Sequence, residues 1–234
     1  MKKLNKFLIV VIIGLFAIVF NTTAQLVTVT SNADSGQGSL REAVSTDTTI
    51  EFAPGITSIT LTSGQIGIYS SVTINGGTGT TRVAIYNGGS DSRIFWVYRS
   101  GTLTINNFIL ANGNFSSSGG AIGNIGTFIA NNCNFNNNIA GSGGAVLSMG
   151  SSTGSQNNYN YLYHCTFEGN SVIGTLPSFS GGAIYISSNV TTPTLNSYNC
   201  LYGYNPVGKY NTNSQVGGTI TAGNNLINGS TGIF

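Results

Sequence analysis

Gly119-Gly120-Ala121-Ile122, Cys133-Asn134-Phe135, Gly143-Gly144-Ala145-Val146, Cys165-Thr166-Phe167, Gly181-Gly182-Ala183-Ile184, Cys200-Leu201-Tyr202: along this stretch two short phrases alternate. Gly217-Gly218-Thr219-Ile220 is a looser fourth copy of the first phrase. Each copy of the second closes on an asparagine, at Asn138, Asn170 and Asn205. The glycine pairs start 24, 38 and 36 residues apart, and the cysteines 32 and 35. Such a period marks a stacked-repeat architecture.

The apolar residues alternate in short runs, with none of the three-and-four spacing of helices. Counted back from the cysteine, the places five and three residues before it hold Phe128 and Ala130, then Asn160 and Leu162, then Leu195 and Ser197. Leu103, Ile105, Phe108 and Leu110 fit the same frame one copy earlier. Alternation puts such a set on one face of a strand. It breaks at polar pairs, Asn106-Asn107, Asn131-Asn132, Tyr163-His164 and Tyr198-Asn199. Asparagine tolerates left-handed backbone and can turn one strand into the next, as paired glycines can at another corner. Short strand, Asn corner, short strand, Gly corner describes a coil of a parallel β-solenoid.

Gly-Gly-Ala-Ile alternating with Phe-x-x-Asn (Phe135–Asn138, Phe167–Asn170) resembles the repeat of bacterial polymorphic outer membrane proteins. The run Ser31-Asn32-Ala33-Asp34-Ser35-Gly36-Gln37-Gly38-Ser39-Leu40-Arg41-Glu42-Ala43 is similar to the opening of secreted bacterial β-helix proteins with varied C-terminal anchors. The resemblance implies an all-β, right-handed single-stranded parallel β-helix on a bacterial surface, often adhesive. Tyr202 stands where the repeat has Phe, and Gly-Gly-Thr-Ile replaces Gly-Gly-Ala-Ile.

The chain opens with Lys2, Lys3 and Lys6, then an apolar run from Phe7 to Phe20, then the small Ala24. This is the layout of a secretory leader, residues 1–24, cut between Ala24 and Gln25; a retained anchor is the alternative. The run is shorter than the roughly 20 residues of a membrane span. Without the leader, five Lys/Arg face six Asp/Glu, and nothing points to nucleic acid. Only 6% of the residues are charged, against roughly 25% in globular proteins, so solubility rests on Asn, Ser and Thr.

Leu26 to Thr30 reads as a strand, and Ser39-Leu40-Arg41-Glu42 as a capping box starting a short helix. Leu40, Ala43 and Val44 then share an apolar face that covers the open end of the solenoid. Residues 25–48 form this strand and cap, and residues 49–234 the β-helix. Ile59/Leu61, Val72/Ile74, Val83/Ile85 and Phe95/Val97 are further apolar alternations in it. The sequence stops at Phe234 within a coil, which predicts an uncapped C-terminal end open to end-to-end association.

Chemistry-bearing residues are sparse. From Gly101 onward the charged residues are Glu168 and Lys209. Glycoside hydrolysis asks for two facing carboxyls, which Glu168 meets only if Asp91 or Glu51 faces it. Arg41 and Glu42 read as cap residues rather than a catalytic pair. His164 with Glu168 invites a metal or acid–base reading, but His164 occupies the corner place of Asn107, Asn132 and Asn199. Cys133, Cys165 and Cys200 share one register and read as a buried thiol ladder. No catalytic residue, metal or cofactor is expected. Outward Trp96, Tyr161, Tyr163 and Tyr198 are the candidate binding residues, suited to a glycan or a neighbouring cell surface. The reading is a non-catalytic, secreted adhesin-like or display protein; the alternative is a carbohydrate-active β-helix enzyme.

Overall fold

A computed structural model describes residues 25–44, 48–78, 80–89, 91–150, 158–173, 181–187 and 193–205, with the strands 216–217, 219–223 and 226–227. The leader and the C-terminal end lie outside these residues.

The molecule is a parallel β-helix. The first sheet stacks Gln25–Val29, Thr48–Phe52, Ser71–Asn75, Thr102–Asn106, Thr127–Asn131, Tyr159–Tyr163, Thr194–Tyr198 and Thr219–Gly223. The second runs from Ser58–Leu61 through Val83–Asn87, Phe108–Ala111, Asn134–Asn136, Thr166–Glu168 and Leu201–Tyr202 to Leu226–Ile227. The third holds Ile66–Ile68, Phe95–Val97, Ile122–Asn124, Val146–Met149, Ile184–Ser187 and Val216–Gly217. A short fourth sheet, Asn114–Ser118, Ile139–Ser142 and Ser171–Val172, joins the second to the third in the middle coils.

Each coil therefore has three principal sides, where the sequence pattern shows two. The third side is hard to read because Ile66–Ile68, Phe95–Val97 and Ile122–Asn124 are three residues each, two of them centred on glycine. The early alternations fall on different sides: Ile59/Leu61 and Val83/Ile85 belong to the second, Val72/Ile74 to the first, Phe95/Val97 to the third.

The corners are built from left-handed backbone. Asn107, Asn132, His164 and Asn199 share φ between 53° and 61°. A second corner, which the sequence pattern leaves unmarked, uses Asn112, Asn137 and Gly169 (φ 53–66°). The first glycines of two pairs, Gly119 and Gly143, supply the third at φ 72° and 61°. Left-handed backbone costs an ordinary residue about 1–2 kcal/mol, and glycine far less.

The inward rows form one core cluster running from Val29 to Tyr202. Phe135 and Phe167 stack with ring centroids 4.6 Å apart at 3°, and Phe167 and Tyr202 at 5.0 Å and 5°. Where Tyr202 replaces Phe, its hydroxyl meets the Ser197 hydroxyl at 2.8 Å. Asn160, also inward, donates to Ser148 Oγ (2.8 Å) and accepts from Asn124 Nδ2 (2.9 Å), so three buried polar side chains satisfy one another. Cys133, Cys165 and Cys200 are buried and none is in a disulfide. The Cys165 amide donates to Cys200 Sγ at 3.3 Å. Burial, then the Cys133 thiol, pushes the Cys165 thiol well above its ordinary range, so it packs as an apolar group.

The closing asparagines form a buried ladder. Asn138 Nδ2 donates to Asn170 Oδ1 (2.9 Å) and to Leu110 O (3.0 Å). Asn170 Nδ2 donates to Asn205 Oδ1 and Phe135 O, both at 2.8 Å. Asn170 Oδ1 also accepts the Asn138 N–H (3.1 Å), Asn205 Oδ1 the Asn170 N–H (3.0 Å), and Asn138 Oδ1 the Gly113 N–H (2.9 Å).

At the N-terminal end, Leu40–Ala43 is a one-turn helix whose N-cap Ser39 Oγ accepts the Glu42 amide. Glu42 reaches back to the Gly38 N–H (2.6 Å), one residue beyond the usual capping-box place. Leu40 and Ala43 enter the core cluster, and Val44 packs against it. Arg41 is more than a surface ion. It pairs with Asp34 (2.7 Å) and donates to Gly64 O (2.7 Å) and Gln65 O (2.8 Å). Asp34 also accepts the amides of Thr62 (3.0 Å) and Ser63 (2.7 Å) and both their hydroxyls. The two side chains thus fasten the cap loop to the first full coil.

Burial raises the Asp34 carboxyl, but the Ser63 hydroxyl, Arg41 and the two amides together outweigh it and hold the group well below the usual carboxylate range. A depressed folded-state pKa gives stability that is present above the unfolded value of 3.8 and is lost as pH falls below it. Acidification below about pH 4 is therefore expected to loosen the cap first, read as faster amide exchange at Thr62 and Ser63. Asp34→Asn is expected to lose about 2 kcal/mol at neutral pH and most of this acid sensitivity, in urea unfolding at pH 7 and pH 3. Asn170→Ala orphans buried donors and acceptors on two coils and is expected to cost about 3 kcal/mol in the same assay.

Candidate binding surface

Inward rows build the core, so recognition falls to the outward rows. Parallel pairing places each outward side chain above its equivalent on the next coil. The sequence-predicted binding residues lie on two different sides. Tyr161, Tyr163 and Tyr198 are on the first sheet, and Trp96 is on the third.

On the first sheet one outward row reads Asn75, Asn106, Asn131, Tyr163, Tyr198. Asn106 Nδ2 donates to Asn75 Oδ1, and Asn131 Nδ2 to Asn106 Oδ1, both at 2.8 Å. The amide row then passes into a ring stack, with Tyr163 and Tyr198 at 5.8 Å and 10°. Tyr161 belongs to the adjacent outward row and stacks on the exposed Tyr159 (6.2 Å, 17°). The result is a strip of half-exposed phenols bordered by carboxamides.

The corner beside this strip holds Asn107, Asn132, His164 and Asn199 in sequence. Asn132 Nδ2 donates to Asn107 Oδ1 (2.7 Å), and Asn107 Nδ2 to Gly77 O (2.8 Å). Arg82 reaches the same row and donates to the Asn132 carbonyl (3.1 Å). The exposed His164 takes the left-handed backbone of the row, and its amide donates to Tyr198 O (3.1 Å).

On the third sheet the outward row begins Gly67, Trp96, Gly123. Glycine flanks the tryptophan on both neighbouring rungs, which lets the rings lie flat. A Cβ on Gly123 would sit 2.3 Å from Trp96 Cε3, and one on Gly67 2.9 Å from Tyr69 Cε2. Tyr69 stacks on Tyr98 (4.1 Å, 15°), and Trp96 meets Tyr98 edge-on at 6.0 Å. Tyr69 is 63% exposed. The sequence reading found Trp96 but missed Tyr69, Tyr98 and the two glycines. Their signal is the Gly-Trp-Gly row, visible only once the third-side strands are in register.

The candidate carboxylates Glu51, Asp91 and Glu168 are dispersed. Asp91 accepts from the Ser116 amide (2.6 Å) and hydroxyl (2.7 Å), which in that order lower its pKa. Glu51 lines a groove of about 350 Å³ beside Phe52, Pro54, Asn75 and Thr81, on the first sheet. Glu168 is exposed on the second sheet. Four rungs separate the coil of Glu51 from that of Glu168, roughly 19 Å at the ~4.8 Å rung spacing. Asp91 is three rungs away, roughly 14 Å by the same measure. A hydrolytic carboxyl pair stands about 5–9.5 Å apart. Among the described residues no three His, Cys, Asp or Glu side chains gather in a metal-holding group.

His164 occupies a corner whose neighbours are asparagines. His164→Asn is expected to stabilise the fold by about 0.5–1 kcal/mol, because asparagine tolerates the left-handed backbone and can extend the amide row. Thermal unfolding measures this, and a loss of stability would speak for a separate role of the imidazole. In comparisons with known proteins, the chain matches no family model, no curated protein and no solved structure.

Proposed function

We propose that the chain is a secreted or cell-surface β-helix protein with a non-catalytic, adhesin-like or display role. The observation that carries this reading is the outward aromatic surface. Tyr163 and Tyr198 form one stacked strip, and Tyr69, Tyr98 and Trp96 a second platform, each held in register by the coil. Flat rings bordered by amides suit the apolar faces of sugars and the side chains of partner proteins. The dispersed carboxylates favour binding over hydrolysis.

Secretion is supported by the leader pattern of Lys2, Lys3, Lys6, Phe7–Phe20 and Ala24. Among the described residues no helix is long and apolar enough to cross a membrane. The resemblance to polymorphic outer membrane protein repeats supports surface display. The competing reading is a carbohydrate-active β-helix enzyme, for which Glu51 at its groove and the exposed Glu168 are the available carboxylates.

A glycan array and a product-release assay on the same bound sugars separate the two. Alanine at Trp96, Tyr163 or Tyr198 is expected to weaken retention about tenfold or more at the platform that binds. No shortened product is expected. Product formation that Glu168→Gln abolishes would establish the enzyme reading in its place.

A further inference from the structure

One cation on the aromatic platform has no carboxylate paired with it among the described residues. Arg93 lies just before the third-sheet strand Phe95–Val97 and is only 8% exposed. Its Cζ sits 4.2 Å from the Trp96 ring centroid and 4.3 Å from that of Phe115 on the next coil. The two rings cover the guanidinium. Its Nε is buried without a hydrogen-bond partner. Among the described residues no carboxylate forms an ion pair with Arg93, whereas Arg41 has Asp34. Asp91, two residues upstream, is engaged by Ser116. Burial lowers the Arg93 pKa to about 10, partly offset by the neighbouring Tyr98, so the group remains a cation at neutral pH.

A buried, unpaired guanidinium is costly to the fold, and ring contacts only partly offset it. A structural arginine would be served by a carboxylate or by backbone carbonyls, as Arg41 is. Arg93 instead stands among rings, beside the stack of exposed Tyr69 on half-buried Tyr98. Planar guanidinium donors match a carboxylate, and the rings match the C–H face of a pyranose.

We propose that Arg93, Trp96, Tyr98 and Tyr69 form a binding site for a carboxylate-bearing sugar, a uronic acid unit within a glycan. Tyr69 and Trp96 take the ring faces, and Arg93 takes the carboxylate. Gly123 keeps the site open, since a Cβ there would meet Trp96 and lie 2.5 Å from Arg93 Nη1. This assignment rests on the display role above and adds the ligand class.

The chain has a single tryptophan, so its fluorescence reports this platform rather than the tyrosine strip of the first sheet. The full chain is titrated with a glucuronic acid oligosaccharide, its methyl ester and the matching glucose oligosaccharide. The acid is expected to bind about tenfold tighter than the ester or the neutral sugar, with a tryptophan response and a salt-dependent affinity. Arg93→Met is expected to abolish that preference. Tyr69→Ala, at an exposed position, is expected to weaken all three sugars about fivefold, and Gly123→Ala to weaken the acid by displacing Trp96 and Arg93. These last two variants keep the test open should Arg93→Met fail to fold.

Equal affinity for acid and ester, or a preference that survives Arg93→Met or Gly123→Ala, would overturn the uronate assignment and leave the display role standing. Array binding without any tryptophan response would do the same, placing recognition on the tyrosine strip. Cleavage of the oligosaccharide would overturn the display role itself.

Discussion

Parallel backbone pairing from coil to coil is the constraint on which this molecule depends. Every strand takes its hydrogen bonds from the equivalent strand one coil away, so each side chain must lie above its counterpart. Like residues then stack on like. Phe135, Phe167 and Tyr202 do so through their rings, and Asn138, Asn170 and Asn205 through their carboxamides. A corner cannot be solved once and then abandoned, because the next coil must turn at the same place. That is why the left-handed positions recur as Asn107, Asn132, His164 and Asn199.

The same constraint decides how departures are absorbed. A phenol in an aromatic row would bury an unmet hydroxyl, and Ser197 meets it from the adjacent side of the same coil. A polar Asn160 in an apolar row is matched by Ser148 and Asn124 from the third sheet. Such pairs trade some hydrophobic burial for specificity of register, since a slip by one residue would leave each partner unsatisfied. Charge enters the scaffold where the repeat begins, at the Asp34–Arg41 clamp that joins the cap to the first coil.

What the coil does not use, it displays. Stacked phenols on one side and flat-lying rings on another are products of register, just as the core is. Glycines beside Trp96 show local sequence yielding to a surface arrangement, since the third-sheet strands lose packing and β-propensity by carrying them. Buried Arg93 between two rings is a comparable concession. Both concessions fall on one platform, the one to which the proposed binding site is assigned.

The sequence by itself determined the class of fold, because alternation, turn residues and recurrence are local properties. The inward set from Leu103 to Tyr202, the asparagine corner, the cysteine register and the cap were all legible as residue types at fixed spacing. The third side was not, because strands such as Ile66–Ile68 and Ile122–Asn124 are too short and too glycine-rich to show a period. Nor could spacing reveal the Asp34 clamp, whose partners are 28 and 29 residues away in Thr62 and Ser63. Only the tertiary structure placed Trp96 on a different side from Tyr163 and Tyr198 and brought Arg93, Tyr69 and Tyr98 to it. A surface platform is assembled from neighbouring coils, and which residues become neighbours depends on the number of sides and the length of each turn, neither of which is written in any single repeat.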